Sequence, residues 1–121
     1  MLAVTIAGGL ILNIVLKWSF HRVRPDAFFN LATPMSYAFP SGHALLAFCF
    51  YWVMAWIWSD SQRNRERRWM VWVGAVCLIG LIGLSRIYLG VHYASDVLAG
   101  YAAAIVWISA VTMIVRRRKE L

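Results

Sequence analysis

The sequence predicts an all-α, polytopic transmembrane helix bundle with four spanning helices. Of the 121 residues, 62% are hydrophobic, whereas a soluble domain usually has about 45–50% apolar residues. Four apolar segments stand out, and each is close to the ~20 residues with which a helix crosses a bilayer. They run approximately over residues 1–16, 44–58, 69–84 and 97–115. The chain length is typical of one domain, so we expect a single membrane domain over residues 1–121.

Each segment in turn supports the assignment to the membrane. Residues 1–16 contain no charged side chain, and residues 44–58 directly follow the sequence Pro-Ser-Gly-His at 40–43, in which the serine can cap a helix. Residues 69–84 and 97–115 are also free of charge. A helix of a soluble bundle would need a polar face. We therefore expect lipid rather than water around all four helices.

The charge distribution predicts the orientation of the bundle. The net charge is +7, and most of the basic residues lie in two runs, at 59–68 and 116–119. By the positive-inside rule both runs face the cytoplasm, so the connections 17–43 and 85–96 face outward. Membrane topology explains the basic runs better than nucleic-acid binding, and no nucleic-acid partner is expected. The cations of the outward connections do not fit the topology rule, which indicates another role for them.

A pair of cations follows the first apolar segment. Lys17 and Arg24 are seven residues apart, nearly two helical turns, so they share a face if the helix continues to Arg24. Pro25 then ends the helix. Two cations at the mouth of a helix bundle suit a phosphate, although interfacial lysine and arginine side chains also reach towards water without binding anything.

Other residues of the same outward connection have weaker signals. His21 lies four residues after Lys17 and could face the same pocket. We interpret Arg22 and Asp26 as solvated interfacial residues, with contact to a second phosphate or a head group as the alternative. Four aromatic residues favour a connection that folds at the membrane surface: Phe28, Phe29, Tyr37 and Phe39.

The second cluster is Ser41, Gly42 and His43, directly before an apolar segment. Ser41 can cap the helix, and Gly42 allows close approach of the backbone to a ligand. The free N–H groups at a helix start form an anion site, with His43 at its edge. The alternative is an ordinary helix cap with a surface histidine.

The third cluster is Ser85-Arg86, followed by His92 and Asp96. His92 and Asp96 are four residues apart, so a helix would place them side by side. A carboxylate beside an imidazole fixes its tautomer and stabilises its charged form. Gly90 provides a break that lets Arg86 converge on His92. Ionisable residues are costly near lipid, so such a group indicates a functional site.

Together the clusters read K-x6-R-P, P-S-G-H and S-R-x5-H-x3-D over residues 17–96. This three-part pattern resembles the signature of the type 2 phosphatidic acid phosphatase family. The resemblance implies an integral-membrane enzyme that hydrolyses a lipid-linked phosphate through a phosphohistidine. It implies three catalytic residues: His92 as nucleophile, Asp96 as its orienting partner and His43 as general acid. It also implies five phosphate-binding residues: Lys17, Arg24, Ser41, Gly42 and Arg86.

No metal and no cofactor are expected, because three cations and a helix N-terminus can neutralise a phosphoryl group. The expected partners are a lipid phosphate, membrane lipids and a second copy of the chain in a homodimer. The resemblance further implies the bacterial cytoplasmic membrane, with the site facing the periplasm or the outside. Candidate substrates are undecaprenyl diphosphate, phosphatidylglycerophosphate and phosphatidic acid.

Two alternatives remain at this point. Membrane members of the family commonly have six spanning helices, so the four visible ones would be the last four of that core. The chain would then lack two N-terminal helices and could be a non-catalytic remnant. Vanadium-dependent haloperoxidases share the signature and are a remote second alternative, since those relatives are soluble and larger.

Overall fold

The computed structural model describes residues 1–25 and 37–120, and these residues form four helices without any strand. The helices are α1 (Leu2–Phe20), α2 (Gly42–Asp60), α3 (Arg65–Tyr88) and α4 (Ala94–Lys119). All four are long and apolar enough to cross a membrane. The predicted all-α bundle with four spanning helices is therefore confirmed. The predictions for Asp26, Phe28 and Phe29 fall outside the described residues.

The helices extend beyond the apolar segments because polar residues continue them into the interface. At the start of α3, the Asn64 side chain accepts a hydrogen bond from the backbone N–H of Glu66 at 2.8 Å. The end of α1 differs from the prediction. His21 adopts a left-handed conformation (φ 47°, ψ 37°), and its N–H donates to the carbonyl of Lys17 at 3.2 Å. The helix thus stops at Phe20, before Arg24 and before the turn that Pro25 was expected to end.

Helix α2 is the centre of the bundle, since each of its contacts with α1, α3 and α4 is more extensive than any helix contact that does not involve α2. Its Leu45 and Cys49 form the buried core together with Ala104 and Ile108 of α4. The outer faces carry large apolar side chains that are more than half exposed, such as Ile11, Met70, Leu81 and Val106. An apolar exterior of this kind is unfavourable in water and suits a lipid environment.

Two close contacts hold the N-terminus of α2 against the N-terminus of α4. The backbone N–H of Ser41 donates to the carbonyl of Asp96 at 2.9 Å. One turn further along α4, a Cβ on Gly100 would lie only 2.7 Å from the Ser41 carbonyl oxygen. The glycine therefore allows an approach that a larger residue would prevent. This junction places the second cluster of the sequence beside the third.

Candidate active site

The three clusters of the sequence come together at one end of the bundle, around a cavity of about 520 Å³. Six of the predicted site residues line it: Lys17, Arg24, Gly42, His43, Arg86 and His92. The other two, Ser41 and Asp96, lie behind them and are fully buried. All eight predicted positions thus belong to one region of the structure.

His92 and Asp96 approach each other through the cap of α4 rather than within a helix. The helix begins at Ala94, after His92, and Tyr93 is its N-cap. The N–H of Tyr93 donates to Asp96 Oδ2 at 2.7 Å. His92 Nδ1 lies 3.6 Å from the same oxygen, slightly beyond hydrogen-bonding distance. The predicted proximity of His92 and Asp96 is therefore present, but the prediction that one helix carries both residues is wrong.

Arg24 determines which ring nitrogen of His92 carries the proton. Its Nη1 lies 3.2 Å from His92 Nε2. A guanidinium only donates hydrogen bonds, so Nε2 must accept and the proton belongs on Nδ1, on the side of Asp96. Burial lowers the pKa of His92 to about 4; Arg24 and Lys17 act in the same direction, and Asp96 opposes them. At neutral pH the ring is uncharged and holds a lone pair on Nε2.

Backbone carbonyls, not a shared helix face, bring Lys17 and Arg24 together. Lys17 Nζ donates to the carbonyls of Tyr37 and Pro40, both at 2.8 Å. Arg24 donates to the carbonyl of Val91 at 2.9 Å and to that of Tyr37 at 3.4 Å. Burial lowers the pKa of Arg24, and Arg86 lowers it further, while Asp96 opposes both. The cations therefore crowd one cavity, which favours an anion there.

The start of α2 has the predicted form. Ser41 is the N-cap, and its Oγ accepts a hydrogen bond from the N–H of Ala44 at 3.3 Å. A Cβ on Gly42 would lie 3.0 Å from Asn13 Nδ2, so the glycine allows α1 to pass close to the helix start. His43 is exposed to the cavity. Helix starts of this kind bind anions through their free N–H groups.

Besides His92 Nδ1, two buried polar atoms of the cavity region have no hydrogen-bond partner within residues 1–25 and 37–120. They are Asn13 Oδ1 and Arg86 Nε. The sequence reasoning missed Asn13, which lines the same cavity. A single asparagine within an otherwise apolar segment was the available signal, since polar groups inside a membrane helix are costly. Both atoms belong to side chains that can still bind a ligand.

Arg22 is partly exposed, as an interfacial residue would be, but it also forms an ion pair that the sequence did not indicate. Its Nη1 lies 2.8 Å from Asp96 Oδ1 and donates to Ser95 Oγ at 2.6 Å. The ion pair forms because residues 22–25, just after α1, lie beside the cap of α4. His21 is exposed and packs edge-on against Trp18 and Tyr37, and it does not line the cavity.

The comparisons with known proteins agree with this architecture. A family model described as the PAP2 superfamily matches residues 1–120. Phosphatidylglycerophosphatase B of Bacillus subtilis is 42% identical over 93 residues, which cover 76% of this chain and 45% of that protein. An undecaprenyl-diphosphatase of Sulfolobus acidocaldarius is 29% identical over 113 residues, covering 89% of this chain and 50% of the relative.

A solved structure has the same fold. It is the crystal structure of the first transmembrane PAP2 type phosphatidylglycerolphosphate phosphatase from Bacillus subtilis. It superposes with a TM-score of 0.85 at 34% sequence identity, over 96% of this chain and 58% of that chain. The present chain thus spans about half the length of the curated relatives it matches.

Proposed function

Because the chain belongs to the PAP2 superfamily, we propose that it is an integral-membrane phosphatase that hydrolyses a lipid phosphate through a phosphohistidine. The observation that carries this proposal is the contact between Arg24 and Nε2 of His92. His92 Nε2 accepts from Arg24 and therefore holds a lone pair, in a cavity that Lys17 and Arg86 also line. A neutral imidazole among cations is suited to attack a bound phosphate.

In the proposed first step, His92 Nε2 attacks phosphorus and the bond from phosphorus to the lipid oxygen breaks. His43 gives its proton to the leaving oxygen. The imidazole becomes positively charged when the N–P bond forms, and Asp96 lies 3.6 Å from Nδ1 to stabilise that charge. Water then attacks the phosphorus, His43 takes the proton from this water, and the N–P bond breaks to release phosphate.

The cations of the cavity bind the phosphoryl oxygens in this mechanism. Phosphoryl transfer depends mainly on positioning and on neutralising the equatorial oxygens. Lys17, Arg24 and Arg86 supply charge, and the N–H groups at the start of α2 supply directed donors. Arg24 exchanges its contact with Nε2 for a phosphoryl oxygen when the substrate enters. We propose that no metal is required for this neutralisation.

The proposed substrates are undecaprenyl diphosphate, phosphatidylglycerophosphate and phosphatidic acid, with recycling of undecaprenyl diphosphate as the leading physiological role. The names of the two relatives support a lipid or isoprenoid phosphate. The basic runs at 59–68 and 116–119 support a site on the outer side of the bacterial cytoplasmic membrane. We also propose that the chain forms a homodimer and that its four helices belong to a six-helix core.

The test is phosphate release by the purified protein in detergent, with each of the three lipids and excess EDTA. We expect release that His92→Gln abolishes and that EDTA does not reduce. His21→Gln is the matched control, since His21 is exposed and outside the cavity. Release that needs an added divalent ion would refute the metal-independent mechanism. A folded protein that releases no phosphate from any lipid would favour the non-catalytic alternative.

A further inference from the structure

Arg22 pairs with the carboxylate that faces the proposed nucleophile. One oxygen of Asp96, Oδ1, lies 2.8 Å from Arg22 Nη1. The other, Oδ2, accepts from the Tyr93 N–H at 2.7 Å and lies 3.6 Å from His92 Nδ1. The Asp96 side chain is fully buried, whereas that of Arg22 is 41% exposed. A single partly exposed cation therefore binds the free edge of a buried anion.

We propose that Arg22 is a positioning residue, which fixes Asp96 so that Oδ2 faces His92 and which shares the carboxylate charge, so that less of this charge favours the protonated form of the His92 ring. The inference rests on the proposed role of His92 as nucleophile. It adds a sixth residue to the basic and imidazole groups of the site, one that does not itself line the cavity.

The surroundings of Arg22 hold it in this position. Its guanidinium carbon lies 5.1 Å from the ring centre of Tyr93 and 5.7 Å from that of Phe39. Cation–π contacts of this kind restrict an arginine while leaving its N–H groups free to donate. The Arg22 carbonyl accepts from the Ala38 N–H at 2.8 Å, and Ser95 Oγ accepts from Nη1 at 2.6 Å. The guanidinium is thus held in place by contacts within the protein.

The electrostatic consequence concerns the balance around His92. The charged and titratable groups that face it come from every neighbouring element: Lys17 of α1, Arg24 of the following connection, His43 of α2, Arg86 of α3 and Asp96 of α4. Asp96 is the only acidic group of this set and favours the charged ring. Arg22 weakens this effect of Asp96, because a carboxylate that pairs with both Arg22 and a protonated His92 stabilises each cation less than it would stabilise one alone.

The test is a pH titration of the histidine rings by nuclear magnetic resonance, with 15N-histidine in the full chain in detergent. The chain has three histidines, and His92→Gln assigns the signal of His92. We expect Arg22→Gln to raise the pKa of His92 by about one unit or more, because Asp96 then acts on the ring alone. Arg22→Lys retains the charge and should leave the pKa of His92 close to its wild-type value.

Arg117→Gln is the control for net charge, because Arg117 is exposed at the opposite end of α4 and should not move the His92 titration. An unchanged His92 titration in Arg22→Gln would overturn the proposal. An equal shift in Arg22→Lys would do the same, since a merely structural role does not distinguish charge. If Arg22→Gln does not fold, Ser95→Ala replaces it. Loss of the 2.6 Å contact between Arg22 and Ser95 should raise the pKa of His92 by a smaller amount. An unchanged pKa of His92 in Ser95→Ala would then overturn the proposal.

Kinetics separate this inference from the proposed function. We expect Arg22→Gln to lower kcat by about 10–100-fold at neutral pH, the range typical of groups that orient a reacting residue, with KM within about twofold. A wild-type protein that releases no phosphate refutes the proposed function, while the ring titration still decides the role of Arg22. A normal kcat in Arg22→Gln with a normal wild-type rate refutes the inference alone.

Discussion

Replacement of Gly100 by alanine tests whether the junction of α2 and α4 positions the site. The new Cβ would lie 2.7 Å from the Ser41 carbonyl oxygen and 3.2 Å from the Ala44 Cβ and the Leu45 nitrogen. Ordinary van der Waals contact begins at 3.4 Å, so the helices must separate by about 0.7 Å at this point. Two of these neighbours are backbone atoms, which cannot rotate away.

The magnitude follows from two opposing terms. Overpacking of this kind costs about 1–3 kcal/mol, and the greater helix propensity of alanine returns up to about 1 kcal/mol. We therefore expect Gly100→Ala to lower the free energy of unfolding by about 1–2 kcal/mol. The same separation strains the hydrogen bond from Ser41 to Asp96, and a misplacement of about 1 Å can cost about 100-fold in rate. Phosphate release should fall by about 10–100-fold.

The assay combines thermal unfolding in detergent, followed by tryptophan fluorescence, with phosphate release from a lipid substrate. Gly80→Ala is the matched control, because nothing lies within 4 Å of a Cβ at that position of α3. It should keep the wild-type rate and gain up to about 1 kcal/mol of stability. A Gly100→Ala protein with wild-type stability and rate would refute the reasoning, as would an equal loss in Gly80→Ala.

Two further predictions concern the His92–Asp96 pair. Asp96→Asn keeps the size of a buried side chain but loses the charge that stabilises the phosphorylated ring. We therefore expect kcat to fall by about 10³–10⁴-fold. A loss of kcat below tenfold would argue against this role of Asp96. The pKa of His92 is lowered to about 4, so the unfolded chain binds more protons between about pH 6.5 and 4. Stability should therefore fall as the pH decreases through that window, and melting temperatures at pH 7.5 and 5 should show a smaller fall in His92→Gln than in the wild type.

Much of the fold could be predicted from the sequence because local rules determine it. Charge-free runs such as 97–115 specify spanning helices whatever their neighbours are. The Ser41 cap is also local, since the serine side chain binds an N–H three residues away. The left-handed turn at His21 was missed because no glycine or asparagine marks it.

The site was harder to predict because distant backbone contacts arrange it. Arg24 is held beside His92 by hydrogen bonds to the carbonyls of Val91 and Tyr37, and both residues are distant from Arg24 in the sequence. The pair of Arg22 and Asp96 spans 74 residues, and no spacing rule indicates it. Neighbouring cations such as Arg22 and Arg24 look alike in the sequence. Only their position beside the cap of α4 gives them different partners.

The central claim is that a phosphoryl group is transferred to His92. The most direct measurement is to mix the detergent-solubilised protein with a lipid carrying a radioactive phosphate, quench within the turnover time and examine the protein. The account predicts label on the wild type and on His21→Gln, in a linkage that is labile to acid and stable to base, and none on His92→Gln. Label on His92→Gln, or phosphate release by that variant at the wild-type rate, would contradict it.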